Sequence, residues 1–256
     1  MCAEDRLADL PADTPVHCFS NFRQLTVAAT GIISKLKDND YGGNQYLVVL
    51  DISKYAADKL LDDPDALGGI PFRLILDGNV GRIKVVPTAA HACITDNLRD
   101  EIGSDMLRMG VPRDDRIWGK TSSNPGSVST KAKQPDQCFY PGSRRPVYSQ
   151  FQGYPTHVVE TGVSESLPRL RGDALWWFGN SQGDTRMVLI LSIHHATRME
   201  VWQQAHCIKE VIITPTTIVG APLILSFQAI FDRPPMGSER DIILDAAALI
   251  SIDRPL

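Results

Sequence analysis

Two stretches decide the fold: KAKQPDQCFY (residues 131–140) and PTHVVETGVSESLPRLRGDALWWF (residues 155–178). The first reads as a strand and carries Asp136 directly after Pro135. The second opens as a buried, β-branched strand that closes on Glu160. It then passes through a Ser-Glu-Ser cap signal, with Ser164 or Ser166 as the cap, into a helix with Leu170, Ala174 and Trp177 on one stripe. The pattern predicts one acid on each of two neighbouring strands, with a helix following. Such a pair can hold a divalent cation, because magnesium takes hard oxygen ligands and needs only one or two carboxylates when water and substrate complete its shell.

Upstream of this centre, residues 19–37 have helical spacing, with Leu25, Ala28, Ala29, Ile32, Ile33 and Leu36 on one face. YLVVLDIS reads as a strand, and KYAADKLLDD as a short helix. FRLILDGNVGRIKVVP is a hairpin signal, two alternating runs around an Asp-Gly-Asn turn. A helix from Ala89 to about Met109 comes next, with Thr88 as its cap, Gly110 as its stop, and Ile94, Leu98, Ile102 and Met106 as its buried stripe. A strand in VPRDDRIWGKTSS precedes the polar loop SSNPGSVSTKAK. Downstream, TRMVLILSIHH and RMEVWQQAH predict a hairpin that KEVIITPTT extends, and an apolar tail packs outside the sheet. The middle therefore reads helix, three strands, helix, two strands, an α/β pattern with a central mixed sheet flanked by helices. The expected division is an N-terminal helical extension over residues 1–70, packing on a core domain over residues 71–256 with its C-terminal tail.

The chain has 256 residues and a formal net charge of −4, which disfavours wholesale coating of nucleic acid while allowing a local basic cleft. The five cysteines are dispersed, without a CxxC pair or zinc spacing. They fit reduced thiols, and Cys138 reads as a packed small apolar residue rather than a nucleophile. The N-terminal segment lacks an apolar signal core and no run is long enough to span a bilayer, so a cytoplasmic or nuclear location without membrane contact is expected.

The order strand-Pro-Asp, strand-Glu, helix resembles the PD-(D/E)XK, restriction-endonuclease-like nuclease superfamily. From about Phe72 to Leu244 the chain resembles, more closely, a set of functionally uncharacterised fungal proteins sharing that core. The blocks that carry this likeness are QPD (134–136), PTHVVETGVSESLPRLRGDALWWF, SQGDTRMVLILSI and PLILSFQAIFDRPP…DIILD. The resemblance implies a restriction-endonuclease-like fold and a Mg²⁺ (or Mn²⁺) dependent nuclease or phosphodiesterase, a hydrolase with Asp136 and Glu160 as metal ligands. It also implies a third acid from the preceding helix, Glu101 ahead of Asp100 and Asp96. The superfamily's lysine position falls on Gly162, which can neither stabilise charge nor position water. Arg169 and Arg171 on the following helix, or Lys131 and Lys133 upstream, are candidates to replace it. An arginine can hold a phosphate but is a poor base.

Blander readings stand beside these. Asp136 could cap a turn. Glu160 could pair with Arg169 or Arg171. Asp173 could pair with Arg169, and Trp176 and Trp177 read mainly as core. Ser164-Glu165-Ser166 caps the helix or holds an anion at its N-terminus. His194-His195 reads as a solvent-facing turn, His157 as structural, and His91 as capping or packing. Lys131, Lys133, Arg144 and Arg145 form either a phosphate-tracking rim for nucleic acid or a solvated loop. Three functions are compatible with the sequence: the metal-dependent nuclease, a nuclease-like binding module without cleavage, and a cleft adapted to small-molecule acid/base chemistry. A homodimer is compatible with each.

Overall fold

A computed structural model of the chain describes residues 10–39, 41–86, 89–119, 131–144, 153–163, 166–194 and 196–253. The chain divides into two compact units, residues 1–88 with 121–134, and residues 89–120 with 135–256. The predicted division at residues 70 and 71 runs between a helix and a hairpin that the first unit keeps together.

The first unit is a five-stranded sheet with two helices. Its strands are β1 (Val16–Cys18), β2 (Tyr46–Leu50), β3 (Phe72–Asp77), β4 (Val80–Val85) and β6 (Lys131–Lys133), in the order β1-β2-β4-β3-β6. Helix α1 (Phe22–Asp38) starts where the Asn21 side chain accepts the Gln24 N–H at 2.9 Å. It buries Leu25, Ala29, Ile32 and Leu36, the predicted stripe, while Ala28 and Ile33 at its margin are half-buried. Helix α2 (Lys54–Asp62) is capped in the same way by Ser53. The β3–β4 hairpin turns through Gly78 at φ 65, a conformation that favours glycine. Gly81 permits close packing: a Cβ there would meet Ile52 Cδ1 at 2.5 Å.

KAKQPDQCFY is not one strand. Its first three residues form β6, paired antiparallel with β3, whereas β7 (Gln137–Tyr140) belongs to the other unit's sheet. Gln134 ends β6 by tethering to its own unit. Its backbone N–H donates to Leu74 O at 2.9 Å, its Oε1 accepts the Leu74 N–H at 2.9 Å, and its Nε2 donates to Leu60 O at 3.2 Å and Leu61 O at 2.9 Å. Pro135 has no N–H to continue a ladder.

The second unit is a seven-stranded mixed sheet flanked by helices, as the pattern predicts. Besides β7 its strands are β5 (Ile117–Gly119), β8 (His157–Val163), β9 (Met187–Ile193), β10 (Thr197–Gln203), β11 (His206–Ile213) and β12 (Ile218–Val219), in the order β12-β11-β10-β9-β8-β7-β5. All pairings are antiparallel except β8–β9, which α4 (Leu167–Asn180) connects as a crossover. With α3 (Ala89–Arg108), the element order from α3 to β10 is the predicted one, with β6 diverted to the first unit.

Strand alternation divides this sheet's core in two. Phe139, Val159, Leu189, Leu191, Met199 and Val201 pack with Ile94, Leu98, Ile102 and Met106 of α3. Cys138, Val158, Val188, Ile190 and Trp202 pack with Leu170, Ala174 and Trp177 of α4. Gly110, at φ 79, follows the end of α3. The tail adds a two-stranded ribbon, β13 (Leu223–Leu225) with β14 (Ile242–Leu244), and two helices, α5 (Phe227–Phe231) and α6 (Ala246–Asp253). The buried Asp105 carboxylate anchors it, accepting from Arg240 at 2.8 and 2.9 Å and from the Ile243 N–H at 3.3 Å. The Arg240 hydrogen bonds outweigh burial and hold Asp105 below the usual carboxylate range.

Candidate functional site

Asp136 lies on the bend between Pro135 and β7, and Glu160 lies within β8; both are buried. The register pairs Gln137 with Val159, so one step back Asp136 falls opposite Glu160. The Asp136 carboxylate closes this step, its Oδ2 accepting the N–H of Thr161 at 2.9 Å. One acid is therefore bonded to the backbone of the residue directly after the other.

Each carboxylate engages a different helix. Asp136 Oδ2 lies 3.2 Å from His91 Nε2 on α3, and the same nitrogen lies 3.0 Å from Thr161 O. A carbonyl only accepts, so Nε2 carries the proton and donates, and in this state it cannot ligate a metal. Thr95, one turn after His91, bonds the Thr161 hydroxyl at 2.8 Å and the His91 carbonyl at 2.7 Å, which fixes the helix against β8. Glu160 points to the opposite face, where its Oε1 accepts the Nε1–H of Trp177 on α4. Gly162 shares the Glu160 face by alternation and pairs with Ser192 of β9.

The remaining predicted residues disperse. Glu101 sits ten residues beyond His91 on α3, a rise of about 15 Å, and lines a surface cleft with Asp105, Arg108 and Ile243. Asp96 and Asp100 pair with Arg99 at 3.2 and 2.9 Å. The α3 side chain that reaches Asp136 is His91. Arg171 bonds Glu200 rather than Glu160, through both Nε (3.0 Å) and a terminal nitrogen. Trp202 Nε1 adds a third donor to Glu200 at 2.9 Å. Burial pushes the Glu200 carboxyl up, but the Arg171 and Trp202 hydrogen bonds outweigh it and leave it lowered. Arg169 is half-buried near the start of α4. Lys131 and Lys133 belong to β6 of the first unit, not to the Asp136 strand. Ser164, Arg145 and Thr88 lie outside the described residues. Ser166 is the N-cap of α4, without a side-chain cap bond. His157 is fully buried, and burial, only partly offset by a weak backbone contact to Met187, pushes its pKa down to about 4.

Sequence reasoning missed His91, Thr95 and Glu200. The spacing His91-x3-Thr95 places both on one turn of α3, a weak signal, since any helix offers such pairs. Among the described residues, no three His, Cys, Asp or Glu side chains are grouped as a ready-made metal cage. Asp136 and Glu160 supply the hard oxygen donors that magnesium or manganese takes, but His91 and Trp177 hold their carboxylates toward opposite faces of the sheet, so the two do not converge on one point. They do not fit zinc, whose sites are built from several nitrogen or sulfur ligands.

No family model and no curated protein matches the chain. Among solved structures it is similar to a "putative nuclease belonging to DUF820" from Anabaena variabilis ATCC 29413, at 15% identity and a TM-score of 0.39, over 62% of this chain and 89% of that chain. A likeness at that level carries no argument about activity. No described helix is long and apolar enough to cross a membrane.

Proposed function

We propose that the chain is a metal-dependent phosphodiesterase of the restriction-endonuclease-like kind, with Asp136 and Glu160 as the ligands of Mg²⁺ or Mn²⁺. One observation carries the reading: Asp136, on the bend just before β7, accepts the N–H of Thr161, the residue directly after Glu160 in β8, which puts the two acids side by side along the chain pairing. A bound divalent ion would lower the pKa of an attacking water and offset charge developing on the phosphate oxygens. His91 holds Asp136 in orientation through its Nε2–H, and Thr95 holds β8 against α3 through the Thr161 hydroxyl. Trp177 fixes the Glu160 carboxylate from the other face. Arg171 is spent on Glu200 and is a positioning group for the sheet, so the superfamily lysine, absent at Gly162, has no replacement in that arginine. Incubation of the full chain with labelled single- and double-stranded DNA and RNA in Mn²⁺ tests this. Cleavage that is lost in Asp136→Asn, with unchanged unfolding temperature, supports it; equal cleavage by the variant rejects it.

The second reading is a nuclease-like module that binds without cleaving. It is favoured by Gly162 on the Glu160 face and by the Trp177 bond that engages Glu160. It expects nucleic-acid binding with no metal-dependent product on any substrate.

A further inference from the structure

The second unit carries a surface cleft of about 540 Å³, a volume suited to a small ligand, whose lining includes Asp100 but neither Asp136 nor Glu160. One wall is the outer face of α3, with Arg99, Asp100 and Ser104; the other is the turn after α3 with Arg113 and Arg116, closed by Trp118 of β5. The Arg99 charge is matched within α3 by Asp96 and Asp100, at 3.2 and 2.9 Å. Among the described residues, Arg113 and Arg116 form no ion pair, and the buried Nε of Arg116 has no hydrogen-bond partner. Two acids in the same turn do not cancel them: neither Asp114 nor Asp115 lines the cleft, and Asp115 Oδ1 packs against Gly142, where it would lie 1.9 Å from an added Cβ. Trp118 is half-buried, its ring edge-on to Phe139 with centroids 5.2 Å apart. Two uncommitted guanidinium groups beside an indole suit phosphate and base together.

Position ties the cleft to the acids. Trp118 pairs with Phe139, three residues after Asp136 on the same run of chain, a span of about 10 Å. Its ring packs on the α3 side of the sheet, the side from which His91 reaches Asp136. A ligand in the cleft would flank Asp136 rather than occupy it. We propose that the cleft holds one nucleotide of a single-stranded nucleic acid, with Arg113 and Arg116 on its phosphates and Trp118 against its base. This deepens, and rests on, the phosphodiesterase reading, because it assigns a substrate subsite beside that centre.

The test measures binding without metal. Fluorescein-labelled (dT)10 is titrated with the full chain in EDTA, by anisotropy, over a series of salt concentrations. Arg113→Gln with Arg116→Gln should weaken binding about tenfold and reduce the log–log salt slope by about 1.4, the value for two single-strand phosphate contacts. Trp118→Leu should weaken binding about fivefold or more, and Trp118→Phe should restore most of it. Unfolding temperatures check that each variant folds. Wild-type protein that does not bind (dT)10, or a double arginine variant that binds as tightly as wild type, overturns the proposal. The two readings fail separately. Binding lost in the arginine variant, with no cleavage by any form of the protein, supports the cleft and rejects the phosphodiesterase. Cleavage lost in Asp136→Asn but with unchanged KM in the arginine variant does the reverse.

Discussion

Arg171→Ala decides whether this arginine serves the sheet or a reaction. In the folded chain Glu200 is fully buried and receives two N–H groups from Arg171 and one from Trp202. The variant leaves a buried carboxylate with a single neutral donor. Breaking a buried pair by removing one partner costs ~3–5 kcal/mol. The Arg171 side chain is 41% exposed, so water reaches part of the gap and the expected loss falls to about 2–3 kcal/mol at pH 7. Urea unfolding followed by tryptophan emission is a suitable assay, because all four tryptophans lie in the second unit. The pH dependence has a definite sign. Glu200 is held below its usual value of 4.5, so the pair's contribution is complete above that value and is lost as pH falls through the lowered one. The gap between wild type and variant should therefore be widest near neutrality and narrow in acid. Adding Glu200→Gln to Arg171→Ala should recover about half of the loss, since no charge is then buried alone. An Arg171→Ala protein that unfolds within about 0.5 kcal/mol of wild type, the range of an uninvolved surface position, would overturn the structural role and return Arg171 to the candidates for the missing lysine.

Two further outcomes concern buried groups in the same unit. Asp105→Asn should cost about 2 kcal/mol in urea unfolding, because it removes a charge-assisted fork to Arg240. Its carboxyl is held low in the folded chain, so the wild-type advantage is present above about 3.8 and lost in stronger acid. His157 behaves oppositely to a paired histidine. Its pKa drops from 6.5 unfolded to about 4 folded, so the unfolded chain binds the extra proton between those values and stability falls as pH is lowered through that window, by ~3 kcal/mol in all. His157→Phe should flatten the stability profile from pH 6.5 to 4, and an unchanged slope would contradict the buried neutral ring.

Much of the architecture is legible in local pattern because its determinants are local. The α1 and α3 stripes, the turn at Gly78-Asn79 and each of β8, α4 and β9 arise from spacing within a single element of at most 20 residues. What escapes reading is set by partners far along the chain. The break at Pro135 depends on Gln134 reaching Leu60, Leu61 and Leu74. A carboxamide in a polar run announces nothing of this. His91 lies forty-five positions before Asp136 in a helix whose apolar stripe is complete without it. The choice of Glu200 over Glu160 by Arg171 depends on sheet register: Glu160 aligns with Ile190, and Ile190 with Glu200, so two acids share one row beneath α4. Arg171 and Trp177 are six residues apart on that helix, and each takes a different acid of the row. The proposed acid pair rests on a Pro-Asp step and a glutamate in a β-branched run, both short motifs; Glu160 proves to lie in the middle of β8, which continues to Val163, rather than at its end. The pair's cross-strand opposition could be expected from the resemblance but not from either motif alone.

Whether Asp136 and Glu160 together hold a divalent ion is decided by calorimetric titration of the folded full chain with Mn²⁺. One saturable isotherm is predicted for the wild type, lost or weakened at least tenfold in both Asp136→Asn and Glu160→Gln, since each removes one of two charged ligands. Glu160→Gln keeps an oxygen for Trp177, so its unfolding temperature should stay close to that of the wild type. No isotherm for the wild type, or an isotherm that both variants retain unchanged, would contradict the metal-binding pair.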